Sequence, residues 1–130
     1  MAGHELTNSE CWDLLDRVSL GRLLYTSAGL PLAQPVPFIV RNKVIMVSLD
    51  QCTATRLLPA GFEFVAFQAD DVVDGAQTGC SVTLYGRAQV VSHHRRSIAE
   101  AAGLPSHGGK AVYACVAPTQ LCGRQLDLRT

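Results

Sequence analysis

The chain lacks an excess of charge of either sign: 11 basic and 11 acidic residues cancel to a formal net charge of zero. Without a basic surplus there is no electrostatic footprint for a phosphate backbone, so nucleic acid is not expected as a partner. Long apolar runs are also missing. None approaches the roughly 18 to 20 residues that span a bilayer, and no membrane association is expected. The opening MAGHELTNSE has neither the basic start nor the apolar middle of a secretion signal. CxxC spacing is absent as well. Cys11, Cys52, Cys80, Cys115 and Cys122 are scattered and odd in number, so neither a disulfide framework nor a zinc or other metal site is expected. Cys11, Cys80 and Cys115 sit in apolar runs and are expected to pack as small hydrophobes. Such cysteine usage fits a reducing compartment, and the cytoplasm is the expected location.

What is present is apolar surface to bury. Hydrophobic residues make up 48% and charged residues 17% of 130, which describes one ordinary domain over residues 1–130 with a real core. A neutral surface on so apolar a chain also favours an oligomer.

Thr7-Asn8-Ser9-Glu10 is a capping-box pattern, and Cys11, Leu15 and Val18 recur behind it at helical spacing. A helix over 8–18 follows, closed near Gly21. A strand begins at Leu23 to Thr26, turns through Ser27-Ala28-Gly29-Leu30-Pro31 and returns as Leu32 to Val40. Pro35 and Pro37 cannot donate ladder hydrogen bonds. Their spacing puts both missing N–H groups on one edge, which must face something other than a strand. After Arg41-Asn42-Lys43, Val44 to Leu49 forms a further strand.

DQCTATRLL, residues 50–58, stands between that strand and the reversal at Pro59-Ala60-Gly61. Phe62 to Ala69 reads as a strand and Asp70 to Gly79 as an acidic loop. Cys80 to Val91 alternates strictly between polar and apolar residues, so one face is buried and the other is polar or lines a site. His93 to Ala102 reads as a helix and Ala111 to Ala117 as a final strand, with PTQLCGRQLDLRT an irregular end. The expected fold is mainly β: a six-stranded antiparallel barrel with an N-terminal helix and short flanking helices, closed to remove its edges.

The order of GRLLYTSAGLPLAQPVPFIV, KVIMVS, CTATRLL and GCSVTLYGRAQVV resembles the pyridoxamine 5′-phosphate oxidase-like split β-barrel proteins, from about Thr7 to Leu126. The resemblance implies a homodimer with a flavin, usually FMN, in a groove at each end of the interface. It makes the Thr53, Thr55 and Arg56 segment the phosphate site. Relatives commonly have Gly-Thr-Lys where this chain has Ala54-Thr55-Arg56; arginine keeps the charge and adds a planar fork suited to phosphate oxygens. Ser48 would supply a further hydroxyl. Val36, Pro37, Phe38 and Val47 would lie along the ring system, and Ser81 would make a polar contact to the ring or ribityl chain. Where relatives often carry a tryptophan before that position, this sequence has Cys80.

Each of these residues has a plainer reading. Thr53, Thr55 and Arg56 alone would be a solvated turn behind an N-cap threonine. His93-His94-Arg95-Arg96 reads as a solvated charge run, Trp12 as a core or interface side chain, and Cys52 as a partly exposed structural thiol. No acid–base pair or nucleophile emerges from spacing, so the catalytic residues stay unassigned; Tyr85 or water is an open candidate for a proton donor.

The resemblance implies an FMN-dependent reductase or oxidoreductase acting on a small organic acceptor. The chain is short for the vitamin B6 oxidase itself, and GRQLDLRT shows no arginine-rich substrate tail. Two alternatives share the fold. One uses a deazaflavin coenzyme, for which only Arg56 stands in the match, with Arg41 and Lys43 at the neighbouring turn. The other is a non-enzymatic flavin-binding or redox-sensing module.

Overall fold

The computed structural model describes residues 4–129. Its elements run α1 (Asn8–Arg17), β1 (Leu20–Ser27), β2 (Leu30–Arg41), β3 (Val44–Leu49), α2 (Gln51–Leu57), β4 (Phe62–Asp71), β5 (Thr78–Val90), α3 (His93–Ala101) and β6 (Val112–Asp127). The capping box starts α1: the Glu10 N–H donates to the Thr7 hydroxyl at 3.1 Å, and the Thr7 N–H donates to the Glu10 carboxylate at 2.9 Å. Those bonds hold the Glu10 carboxyl below its ordinary range. The helix ends at Arg17, and Gly21 does not close it. Gly21 lies inside β1, where a Cβ would overlap the Phe67 ring. Glycine there lets the fully buried Phe67 ring sit against the strand.

The six strands close into a barrel in the order β1-β2-β3-β6-β5-β4, every pairing antiparallel. The last strand joins the two halves, pairing with β3 at Leu49↔Val112 and with β5 from Val90↔Ala114 to Thr78↔Asp127. This corrects the expected irregular end: PTQLCGRQLD continues the strand. Pro118 and Gly123 disguise it. The register shifts between Tyr85 and Gly86, leaving Thr119 as an extra residue whose hydroxyl donates to the Tyr85 carbonyl at 3.1 Å. The ladder absorbs Pro118 at that bulge. The acidic loop is also shorter than expected, because Asp70 and Asp71 pair with Ser81 and Cys80.

Alternation fills the barrel with Leu23, Val36, Phe38, Ile45, Val47, Phe67, Val82, Leu84 and Val116. Leu14 and Leu15 of α1 and Ala54 and Leu57 of α2 join the same core. α1 sits at the Gly123 end and α2 follows Leu49, so the helices close opposite ends. A second cluster lies outside the barrel, where Ala99 and Leu104 cover Met46 and Tyr113. The outer face of β1, β4 and β5 has no such cover: Phe64 is 68% and Tyr85 46% exposed. Among the described residues no helix is long and apolar enough to cross a membrane.

Candidate functional site

The gap beside β2 follows from strand lengths. β3 pairs with β2 only from Phe38↔Val47 to Arg41↔Val44, whereas β1 pairs from Ser27↔Leu30 to Leu20↔Pro37. The Phe38 N–H donates to the Ser19 carbonyl at 3.1 Å, so even-numbered residues of β2 aim their backbone groups at β1. Odd-numbered residues aim theirs the other way. Pro31, Ala33, Pro35 and Pro37 therefore border the gap, and three of them have no N–H. The edge offers carbonyl acceptors and a single donor at Ala33, as the spacing of Pro35 and Pro37 implied.

Continuing the β2–β3 register past Val47 brings α2 alongside this gap. The N-terminus of α2 is already satisfied: the Asp50 carboxylate accepts the Thr53 N–H at 2.7 Å. Hydrogen bonds from the Thr53 backbone and side chain lower the Asp50 carboxyl, and the charges of His107 and Arg56 act in the same direction. Thr53, only 4% exposed, is thus committed to its own cap. Ser48 is 2% exposed and donates to the Pro105 carbonyl at 2.6 Å, tying down the loop after α3. Both residues build the wall of the site rather than reaching into it. Thr55 is exposed and donates to the Gln51 carbonyl at 2.9 Å, which leaves its oxygen free to accept. Arg56 is exposed, with neither hydrogen bond nor ion pair among the described residues. It is an uncommitted cation on the helix that follows β3. Val36, Phe38 and Val47 turn their side chains into the core and their backbones toward β1 and β6, so of these residues with Pro37 it is the half-buried proline that borders the gap.

Ser81 lies elsewhere. It borders a cleft of about 670 Å³ on the outer face of β1, β4, β5 and β6, with Arg22, Asp70, Thr83, Cys122 and Arg124. The floor is a hydrogen-bonded row. Arg22 donates to Gln68 at 2.8 and 3.1 Å and to Asp70 at 2.6 Å, and Gln68 donates to Thr83 at 3.1 Å. Burial pushes the Asp70 carboxyl up, but hydrogen bonds from Arg22 and Ser81, with the Arg22 charge, outweigh it and leave the carboxyl below its ordinary value. From Ser81 to Val90, the β5 end nearest α2, is nine positions, about 30 Å along a strand. One chain therefore does not bring Ser81 and Arg56 to one ligand. Sequence reasoning missed Arg22, Gln68 and Asp70, although alternation on β5 marked Ser81 and Thr83 as sharing a face.

A third concavity, about 380 Å³, adjoins the start of α2. Val90, Val112 and Ala111 floor it, and Gln51, His93 and Arg96 stand on its rim. The Arg96 guanidinium lies 4.9 Å from the Tyr113 ring centroid, donates to the Ala111 carbonyl at 2.9 Å and pairs with Glu100 at 3.4 Å. Within the run His93-His94-Arg95-Arg96, Arg95 instead turns to the Cys115 sulfur at 3.4 Å.

A family model described as pyridoxamine 5′-phosphate oxidase matches residues 7–125. An uncharacterized protein of Mycobacterium tuberculosis is 35% identical over 92 residues, which are 68% of this chain and 60% of that protein. The chain thus spans about three-fifths of the length of that relative. A structure of a FAD binding protein from Mycobacterium smegmatis superposes with a TM-score of 0.76 at 32% identity, covering 95% of this chain and 97% of the other. A FAD-binding protein of Mesorhizobium loti shares the fold alone, with a TM-score of 0.78 at 18% identity over 98% of this chain and 100% of the other.

Proposed function

The chain belongs to the pyridoxamine 5′-phosphate oxidase family, and on that premise we propose that it binds a flavin nucleotide and acts as a flavin-dependent reductase of a small organic acceptor. The observation that carries this reading is the proline-bordered gap beside β2 with the uncommitted Arg56 on the adjoining helix. The gap can meet part of the group: its carbonyls can accept one N–H and the Ala33 N–H can serve one carbonyl. A flavin's pyrimidine edge presents an N–H between two carbonyls, and the gap offers backbone carbonyls with one N–H at Ala33. Arg56 and the Thr55 oxygen would hold phosphate, with Ser48 and Thr53 fixing the wall behind them. Pro37 would bear on the ring, with Val36, Phe38 and Val47 packed in the core behind it. A bound flavin would supply hydride transfer at its N5, while the protein orients it and excludes water.

FMN is the smallest nucleotide that uses the Arg56 site. FAD is a second reading, favoured by the relative at 32% identity described as a FAD binding protein. A deazaflavin coenzyme draws less support, because its polyanionic tail would find only Arg56, with Arg41 and Lys43 at the nearby turn. The spectrum of the purified protein and the mass of its released chromophore test all three. Oxidised FMN or FAD gives a band near roughly 450 nm, and a deazaflavin absorbs at shorter wavelength. A colourless protein that takes up none of them overturns the reading. A flavin that no reductant or acceptor turns over favours the non-enzymatic module. The five free thiols support a cytoplasmic location.

The reading includes a homodimer. Leu24, Phe64, Ala66 and Tyr85 form a bare apolar row on neighbouring strands, beside the cleft that holds Ser81. A second copy laid on this face would cover that row. It would also carry its own Ser81 and Arg124 toward the gap, reuniting the two groups that one chain separates. Such an interface should bury on the order of 2,000 Å².

A further inference from the structure

We propose that the cleft bordered by Ser81 is the acceptor site, and that it takes a small organic monocarboxylate through the Thr83 hydroxyl and the Arg124 guanidinium. This rests on the flavin reading above and names the class of acceptor. The hydrogen-bonded row on the floor sets the polarity of the cleft. A guanidinium has only donors, so Arg22 fixes Gln68 with its amide oxygen toward Arg22 and its amide nitrogen toward Thr83. The Thr83 oxygen must then accept. Its own proton is left over, and no group among the described residues takes it. Thr83 is half-buried and lines the cleft, so that proton is available to a ligand there.

The same row settles the charges. Asp70 takes Arg22 at 2.6 Å and a hydrogen bond from Ser81, so Arg22 and Asp70 neutralise each other. Arg124 is the cation that remains. It is exposed and lines the cleft, and its side chain makes neither hydrogen bond nor ion pair among the described residues. On the β5–β6 ladder it stands directly opposite Ser81 and diagonal to Thr83, which faces Cys122. Such neighbours lie roughly 5 and 7–8 Å apart, within reach of a long side chain. A hydroxyl donor and a free guanidinium converging from adjacent strands suit the two oxygens of a carboxylate. Leu6 and Leu126 offer a wall for the apolar body of the acid. Glu5 on the rim is exposed and pairs with neither arginine, so a second negative charge on the ligand is disfavoured. The volume of about 670 Å³ falls in the range of roughly 300–1,000 Å³ usual for ligand sites. In the dimer proposed above, Arg124 is carried toward the second copy's gap, where an acid held here would meet that copy's flavin.

The test is calorimetric titration of the purified full chain with benzoate, benzamide and terephthalate, on wild type, Arg124→Gln, Thr83→Val and Thr83→Ser. Thr83→Val removes the O–H at nearly constant shape and Thr83→Ser keeps it. Arg124→Gln changes an exposed side chain without partners, so it reads the site even should Thr83→Val disturb Gln68. Benzoate should bind wild type and weaken about fivefold or more in Arg124→Gln and Thr83→Val, staying within about twofold in Thr83→Ser. Benzamide, which has no charge, and terephthalate, which has two, should bind wild type at least about threefold more weakly than benzoate. No saturable binding of benzoate at millimolar concentrations overturns the site. So does unchanged affinity in Arg124→Gln, or benzamide or terephthalate matching benzoate. The visible spectrum of the same samples reads the flavin separately: a colourless chain that binds benzoate in the expected pattern overturns the flavin reading and keeps the carboxylate site.

Discussion

Replacing Arg56 by alanine separates a phosphate anchor from a solvated turn. The side chain is exposed and makes no hydrogen bond or ion pair among the described residues, so its removal breaks nothing in the empty protein and the melting temperature should barely move. With a phosphate present it is an uncommitted cation on α2; Asp50, whose carboxyl its charge helps lower, is already occupied by Thr53. A hydrogen bond to a charged group contributes about 1.5–3 kcal/mol net. A bidentate pair discounted for solvent exposure should fall near 2–3 kcal/mol, or roughly 30- to 150-fold in dissociation constant. Fluorescence titration with FMN, FAD and riboflavin on wild type and Arg56→Ala reads this directly. The phosphate-bearing flavins should lose that factor, while riboflavin, which has no phosphate, should change little. Equal losses for riboflavin and FMN would refute the argument and return the segment to a solvated turn.

If the proposed dimer forms, Phe64→Asp should convert it to a monomer in light scattering without altering the circular dichroism; a wild-type chain already monomeric at micromolar concentration would sink the proposal. Ser81→Trp fills the cleft beside Asp70, so flavin retention should fall with the fold intact, and unchanged retention would show that this cleft does not face the cofactor. Gly86→Ala puts a Cβ against the Ala117 carbonyl at the bulge, and urea denaturation should show a loss of about 1–3 kcal/mol or more. For Asp70 the folded carboxyl lies below its unfolded value of about 3.9. Its contribution is present above that value and is lost as pH falls through the folded value. The stability gap between wild type and Asp70→Asn should therefore narrow in acid; a gap that stays constant as pH falls would contradict the ion pair as its source.

Much of this fold could be read from local rules. The capping box starts α1, alternation aligns β5, and two prolines mark the gap beside β2. What escaped was long-range. Gly21 reads as a helix stop because nothing nearby in sequence announces the Phe67 ring it accommodates. The second half of β6 was hidden because Pro118 and Gly123 look like breakers until a bulge on the same strand and the Cys11 side chain, close behind Gly123, explain them. Of the candidate site residues, Arg56 and Thr55 are left exposed by the fold and Pro37 half-buried, as surface positions read from sequence could be. Ser48 and Thr53 look like ligand hydroxyls in sequence, but they serve Pro105 and Asp50, partners that only folding supplies. Arg22 and Asp70 lie 48 residues apart, beyond any spacing rule.

The placement of β6 between β3 and β5 also bears on how the protein is made. On the ribosome, β1, β2 and β3 emerge early and can pair as a meander, and β4 and β5 can pair as a hairpin. The strand that joins these sets is synthesised last. Until residues 112–127 leave the exit tunnel, β3 and β5 each carry an unsatisfied row of backbone groups, the kind of surface on which nascent chains associate wrongly. Closure also demands contacts between strands far apart in sequence, which is slow by topology alone. The gap beside β2 is different: with three N–H groups removed by proline, it cannot template a foreign strand during that wait. The vulnerable period for this chain is thus the interval before its final strand docks, and the edges at risk are those that β6 covers.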